Sequence, residues 1–452
     1  MKKAYSISDI PNAFVLRELR VNELDEYYYD QTMITRTGRR NVSPIEDIFE
    51  DCLTNETTHA YLLMGHKGCG KSTELNRLAQ RLANEGYQVR TIECSKDINM
   101  DSPLFSEILI LLAEQLLDIA ETIKCNLEKD TILTLLSFWK EEAIEYGTFT
   151  KERIIEIEGG AGLGSPEILK PFLELFFKLK ADSKLSENNR VEYKKKLEKR
   201  PSEWLNLLRD VADQISRKMD YRKPVIIFED LDKLDEYNPE NPWEIFLTNG
   251  AFLKDFNFPI IYTFPIAMSY DPRFGALDGF YEVKNLPMIK LHNSTDTPDQ
   301  LYEPGYDAIM AIIEKRCDLS LFEDAALKEA IIKTGGSLRD LFKVINEASR
   351  LARRSGSDSI SLEMIQDALE DIKSSLTRRF DQESYEFLMK IYKGEKDLII
   401  DKPMLLQMMR ANIVLEYNSK RWHDLHPLVR DFFKDHEQKI TDIIRSSKDD
   451  EQ

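Results

Sequence analysis

Paired cysteines, long apolar runs and a surplus of basic charge are all missing from this sequence. Its five cysteines (Cys52, Cys69, Cys94, Cys125 and Cys317) are scattered with no paired spacing, which points to neither a disulfide framework nor a zinc site. A reducing, cytoplasmic setting is the expectation. The opening "MKKAYSISDIPNAF" lacks the apolar run of a signal peptide. The longest uncharged apolar stretch, Phe256 to Tyr270, holds two prolines and falls short of the ~20 residues a membrane helix needs, so no membrane partner is expected. Acids outnumber bases and the formal net charge is −18, which argues against a chain that coats nucleic acid over its whole surface. A local basic site stays open. No internal repeat is visible.

What is present describes a globular protein. The 452 residues are 42% hydrophobic and 31% charged, enough for two or three domains. "AYLLMG" (60–65) is a short apolar run stopped by glycine, as in a buried parallel strand. "KSTELNRLAQRLANEG" (71–86) has Leu75, Leu78, Ala79 and Leu82 at helical spacing, and "YQVRTIEC" (87–94) follows as a second strand. Strand, glycine loop, helix, strand is a βαβ unit, which predicts an α/β fold with a doubly wound parallel sheet. Residues 100–222 read as helical. The sheet resumes with "PVIIFED" (224–230), "FPIIYTF" (258–264) and "FYEVKNLPMIKL" (280–291), and four helical segments follow between about 305 and 374.

The chemistry sits first in "GHKGCGKS" (65–72), a complete G-x-x-x-x-G-K-S between a strand and a helix. Bulkier residues at Gly65, Gly68 and Gly70 would block backbone N–H groups from phosphate oxygens. The phosphate-binding stretch therefore comprises Gly65, His66, Lys67, Gly68, Cys69, Gly70, Lys71, Ser72 and Thr73. Lys71 supplies charge to the β- and γ-phosphates, and the Ser72 hydroxyl is the expected ligand of Mg2+. A facing carboxylate is needed at the end of a neighbouring strand, and "VIIFEDLDK" provides it. No Asn-Lys-x-Asp guanine-reading motif is found, so ATP is favoured over GTP.

"GHKGCGKSTEL", "VIIFEDLDK", "IIYTF" and "GGSLRDLFKVINEASRLA" together resemble the AAA+ and STAND-like ATPases, especially the branch that includes origin-recognition initiators. The resemblance spans roughly residues 36–375 and extends more weakly to a winged-helix-like end. It implies four parts. Residues 1–58 form an N-terminal helical segment leading into the core. Residues 59–295 form the P-loop ATPase core, with the insertion at 100–222. A helical lid (296–375) and a winged-helix-like domain (376–452) complete the chain. It also implies that Arg339 is the lid's sensor arginine, that Thr263 positions the attacking water, and that Arg273 stands where many relatives carry an arginine finger acting on a neighbour in a homo-oligomer. Arg39, in "TGRR", falls near the expected adenine.

The acids depart from the family's order. Alignment on the apolar run puts Glu229 where relatives have the magnesium Asp, and Asp230 where they have the water-activating Glu. A second register makes Asp230 the metal ligand and leaves Asp232 or Glu229 as base. Slow turnover follows from either.

Lesser signals resolve as structure. "GGAGLGS" (159–165) lacks a following lysine and reads as a loop, and "RVEYKKKLEKR" (190–200) as one solvated helix face. His423 and His426 have poor ligand spacing for a metal. "LLQMMRANIVLEYNSKRWHDLHPLVRDFF" reads as a winged helix: a helix, then two strands around a turn at Asn418 and Ser419, with Arg410, Lys420 and Arg421 nearby. Two functions follow. One is an ATP-hydrolysing switch that controls assembly or a separately encoded effector, the arrangement common in bacterial antiviral defence. The other is an initiator or loader whose winged helix grips duplex DNA.

Overall fold

The computed structural model describes residues 1–30, 36, 43–54, 60–161, 165–293, 300–378, 380–395, 402–417 and 422–450. Five strands, β1 (Ala60–Met64), β2 (Val89–Glu93), β3 (Val225–Glu229), β4 (Ile260–Thr263) and β5 (Glu282–Asn285), form one sheet in the order β2-β3-β4-β1-β5. Every neighbouring pair is parallel. The doubly wound α/β class expected from the sequence is what the chain adopts.

The three central strands are buried along their whole length, which is why they read as unbroken apolar runs rather than as alternating ones. Side chains still alternate between the two faces. Leu62, Met64, Ile226, Phe228, Ile260 and Tyr262 point into the core shared with the helical insertion. Tyr61, Leu63, Val225, Ile227 and Ile261 point the other way, onto the phosphate-loop helix Lys71–Asn84 and helix Pro44–Thr54.

The insertion comprises helices Phe105–Thr122, Lys129–Glu145, Lys151–Glu158, Leu169–Leu185, Glu187–Lys199 and Pro201–Lys218. Trp139 and Trp204 are wholly buried and meet edge-on, 5.8 Å between ring centres. The basic stretch is a helix whose Arg190, Tyr193 and Leu197 are buried, and its Lys196 pairs with Glu142. Residues 162–164 of the glycine-rich loop lie outside the described residues.

Four helices, Glu303–Arg316, Asp324–Lys333, Leu338–Ser355 and Leu362–Thr377, form a second unit. The N-terminal stretch belongs to its core: Ala4, Ile7, Ile10, Ala13 and Phe14 are buried among its helices. Ala4 also bridges to Cys317.

The C-terminal part holds helices Gln382–Tyr392 and Lys402–Arg410, an antiparallel hairpin β6 (Val414–Tyr417) and β7 (Trp422–Leu425), and helix Pro427–Asp450. All eight hairpin residues are buried. Leu415, Tyr417 and Trp422 join the core cluster on the phosphate-loop face of the sheet. The expected turn residues Asn418 and Ser419, with Lys420 and Arg421, lie outside the described residues. Among the described residues no helix is long and apolar enough to cross a membrane.

Candidate nucleotide site

β1 ends at Met64 and the chain turns through residues 65–70 into helix Lys71–Asn84. Gly65 and Gly68 are dictated by space. A methyl on Gly65 would lie 2.7 Å from the Leu286 carbonyl oxygen, and one on Gly68 would lie 2.7 Å from Ser337 Oγ. Gly68 also has φ +88°, a left-handed conformation that favours glycine. The helix that starts at Leu338 thus sits directly on the loop, and its Leu338 N–H donates to Gly68 O at 3.1 Å.

Strand alternation decides where the acids go. Glu229, the last residue of β3, shares a face with Val225 and Ile227, the face that carries helix Lys71–Asn84. Its carboxylate accepts a hydrogen bond from Ser72, the first turn of that helix. Burial pushes the Glu229 carboxyl up to about 7, further raised by Asp232 and Asp230 and partly opposed by Ser72. Asp230 leaves the strand at φ +70°. It accepts from Ser95 Oγ, just past β2, and pairs with Lys233 Nζ at 2.5 Å.

Lys71 Nζ lies 2.9 Å from Asp232 Oδ2 and donates to Gly65 O at 2.5 Å and His66 O at 3.3 Å. Burial alone would lower this ammonium, but Asp232 outweighs it and holds Lys71 above its ordinary value. Burial would likewise raise Asp232, and the lysine reverses that too. Asp232 entered the sequence reading only as an alternative base; in the fold it is the direct partner of the loop lysine.

Loop, acids and helix N-terminus surround one cavity of about 720 Å3, within the roughly 300–1,000 Å3 typical of small-molecule sites. His66, Lys67, Gly68, Gly70, Lys71, Ser72, Thr73, Glu229, Asp230 and Arg339 all line it. Gly65 and Cys69 shape the loop from behind. Arg339 is the second residue of helix Leu338–Ser355, whose first turn is capped by Ser337 Oγ accepting the Asp340 N–H at 3.3 Å.

Thr263 and Arg273 do not line the cavity. The Thr263 hydroxyl accepts the Asp232 N–H and donates to Phe228 O, both at 3.3 Å, so it braces the acidic turn. Arg273 pairs with Glu240 and Asp271 and lies over the Trp243 ring. Arg39 falls outside the described residues. Arg36 is described: it is buried, lines the cavity, and donates to Cys69 O at 3.1 Å and Pro287 O at 2.6 Å.

The rest of the cavity lining was not visible in any motif. Val15, Leu16, Tyr28, Tyr29, Ile312 and Phe342 give it an apolar and aromatic lining. Leu19 ties this N-terminal stretch to the phosphate-loop helix, its N–H donating to Thr73 Oγ1 at 3.2 Å and its carbonyl accepting from Asn76 at 2.9 Å. A cavity lined by both the phosphate loop and these apolar and aromatic side chains can hold a polyphosphate together with a flat ring.

The donor set also fits a magnesium ion. Among the described residues no group of three or more His, Cys, Asp and Glu could hold a metal alone. Magnesium does not ask for one, since it takes one or two protein oxygens and completes its shell with phosphate oxygens and water. Ser72 with the buried Glu229 offers that pair.

No known protein-family profile matches the sequence, and no curated protein sequence matches it. Solved structures do. The Aeropyrum pernix ORC2 protein, in ADPNP–ADP complexes, aligns at TM-score 0.39 and 12% identity over 89% of this chain and 93% of its own. A Walker-type ATPase of Pyrococcus abyssi aligns at TM-score 0.45 and 15% identity over 93% and 99%. The Aeropyrum pernix ORC1 protein in complex with DNA aligns at TM-score 0.36 and 11% identity over 86% and 90%. By its own geometry, with a parallel sheet whose β1 runs through a G-x-x-x-x-G-K-S turn into a helix facing the acids of β3, the chain has the P-loop NTPase fold.

Proposed function

We propose that this protein is a slow, magnesium-dependent ATPase of the AAA+/STAND-like type, working as a switch. Its nucleotide state governs self-assembly or a separately encoded effector, as in a defence switch. In this reading the N–H groups of residues 65–72 and the Lys71 ammonium bind the phosphates. Ser72 and Glu229 hold the metal, which would shield the developing phosphate charge when bound. Asp230 orients water and takes its proton, and Arg339 reaches the γ-phosphate from the helix facing the loop. The Thr263 hydroxyl positions the acidic turn. Arg273 serves a neighbour's nucleotide in the oligomer, and Arg39 lies toward the base.

The observation that carries the switch reading is the burial of the C-terminal hairpin against the phosphate-loop face of the sheet. A β-ribbon that reads DNA lays its strands in a groove, whereas all eight described strand residues of this hairpin are buried. Arg410, one of the three basic residues expected to touch DNA, instead pairs at 2.6 Å with the buried Asp235. This favours a C-terminal part that responds to nucleotide over one that grips a duplex.

Titration calorimetry tests the site. Lys71→Ala should abolish ATP binding, and unchanged affinity in that variant would overturn the reading. Asp230→Asn should bind Mg-ATP and lose turnover; loss of magnesium-dependent binding instead would shift the roles of the acids by one.

A further inference from the structure

The phosphate loop is held from outside the core. The Glu416 N–H, on β6, donates to His66 Nε2 at 2.8 Å. A backbone N–H can only donate, so that nitrogen carries the lone pair and the ring proton sits on Nδ1, 3.3 Å from Asn412 Oδ1. Asn412 Nδ2 donates in turn to the Lys67 carbonyl at 3.1 Å. One side chain therefore grips both the imidazole and the backbone of the loop. Nearby, Lys67 Nζ donates to Arg410 O at 3.4 Å.

His66 is 1% exposed, and both its ring nitrogens are engaged by the segment 412–416. The neighbouring carbonyls of Gly65 and His66 are the ones that hold Lys71 Nζ. A shift of His66 thus moves both the phosphate-binding amides and the lysine anchor. The hairpin has its own attachment: Glu416 accepts from Tyr270 at 2.6 Å and from Asn285 at 2.9 Å. Removing the Asn412 amide therefore loosens the loop without releasing the hairpin.

We infer that Asn412 is a positioning residue of the nucleotide site: together with the β6 backbone it holds His66 and Lys67 so that the loop is shaped for phosphate only while the C-terminal hairpin is docked. The inference rests on the nucleotide reading of the loop. Coupling is reciprocal, so nucleotide must tighten the hairpin as much as the hairpin tightens nucleotide.

Asn412 has φ +56°, a conformation that glycine also adopts, so Asn412→Gly removes the amide while keeping the backbone. ATP is titrated into full-length wild type, Asn412→Gly, Asn412→Asp and Lys71→Ala, with amide exchange of residues 414–417 followed alongside. Asn412→Gly is expected to weaken ATP about tenfold and to lose the ATP-induced protection of 414–417 seen in wild type. Asn412→Asp keeps the acceptor for His66 and should recover part of the affinity; if Asn412→Gly fails to fold, weakened ATP binding by this variant decides alone. Wild-type affinity and protection in the Asn412 variants, with binding lost in Lys71→Ala, would overturn the positioning role alone. Wild-type affinity in Lys71→Ala as well would overturn the nucleotide reading beneath it.

Discussion

Glu229, Asp230 and Asp232 fall within four consecutive positions yet each meets different partners: Glu229 meets Ser72, Asp230 meets Ser95 and Lys233, and Asp232 meets Lys71. Alignment of the sequence left two registers open because carboxylates are chemically alike. The fold separates them by direction, since Glu229 is still on the pleat of β3 while Asp230 has already turned to φ +70°. His66 carries a prediction at this scale. Burial holds its ring at about 3, so it is neutral in the folded chain, whereas in the unfolded chain it titrates at the ordinary 6.5. Below 6.5 the unfolded state binds the extra proton, so this contribution to stability falls as pH drops from 6.5 toward 3. At pH 5 the loss is about 2 kcal/mol. Urea unfolding of wild type and His66→Gln at pH 7 and pH 5 should show the smaller pH dependence in the variant. Equal dependence would mean that His66 is not held neutral by the fold.

At the scale of elements, the turn before helix Leu338–Ser355 holds the closest approach to any of the described glycines. A methyl on Gly336, at φ +85°, would fall 2.0 Å from the Ile289 carbonyl oxygen, and one on Gly335 would fall 2.7 Å from Pro427. In the sequence these glycines open one of the stretches that carry the AAA+ resemblance; the packing adds that core, helix and C-terminal segment all meet on them. Gly336→Ala should cost roughly 3 kcal/mol or more through backbone strain and overlap together. A urea midpoint shifted by less than a third of that would mean the joint can open. The strands were legible because central parallel strands are apolar on both faces. Helix Leu169–Leu185 was less so, because its exposed face also carries the apolar Phe177 and Leu185, which lowers the contrast between its two faces.

Over the whole molecule the nucleotide cavity draws on the N-terminal stretch, the core and the helix at Leu338, while the C-terminal segment braces its loop. Ligand should therefore stabilise all of them together. At a hundredfold excess over Kd, Mg-ATP is expected to add about 2.7 kcal/mol to unfolding, read by calorimetry as one raised transition. A raised core transition beside an unmoved C-terminal one would show the parts to be uncoupled.

The sequence by itself determined the glycine loop, the acids opposite it, the parallel sheet and the helical segments that follow it. These are local patterns whose chemistry depends on spacing along the chain. Only the tertiary structure decided which acid meets Ser72, that Asp232 pairs with Lys71, that residues 15–19 and 27–29 line the cavity, and that a hairpin with the pattern of a wing is buried against the phosphate-loop face. Those contacts join residues up to about 350 positions apart. No periodicity or short motif records them, because each follows from the direction a side chain takes once the sheet and its covering layers have packed.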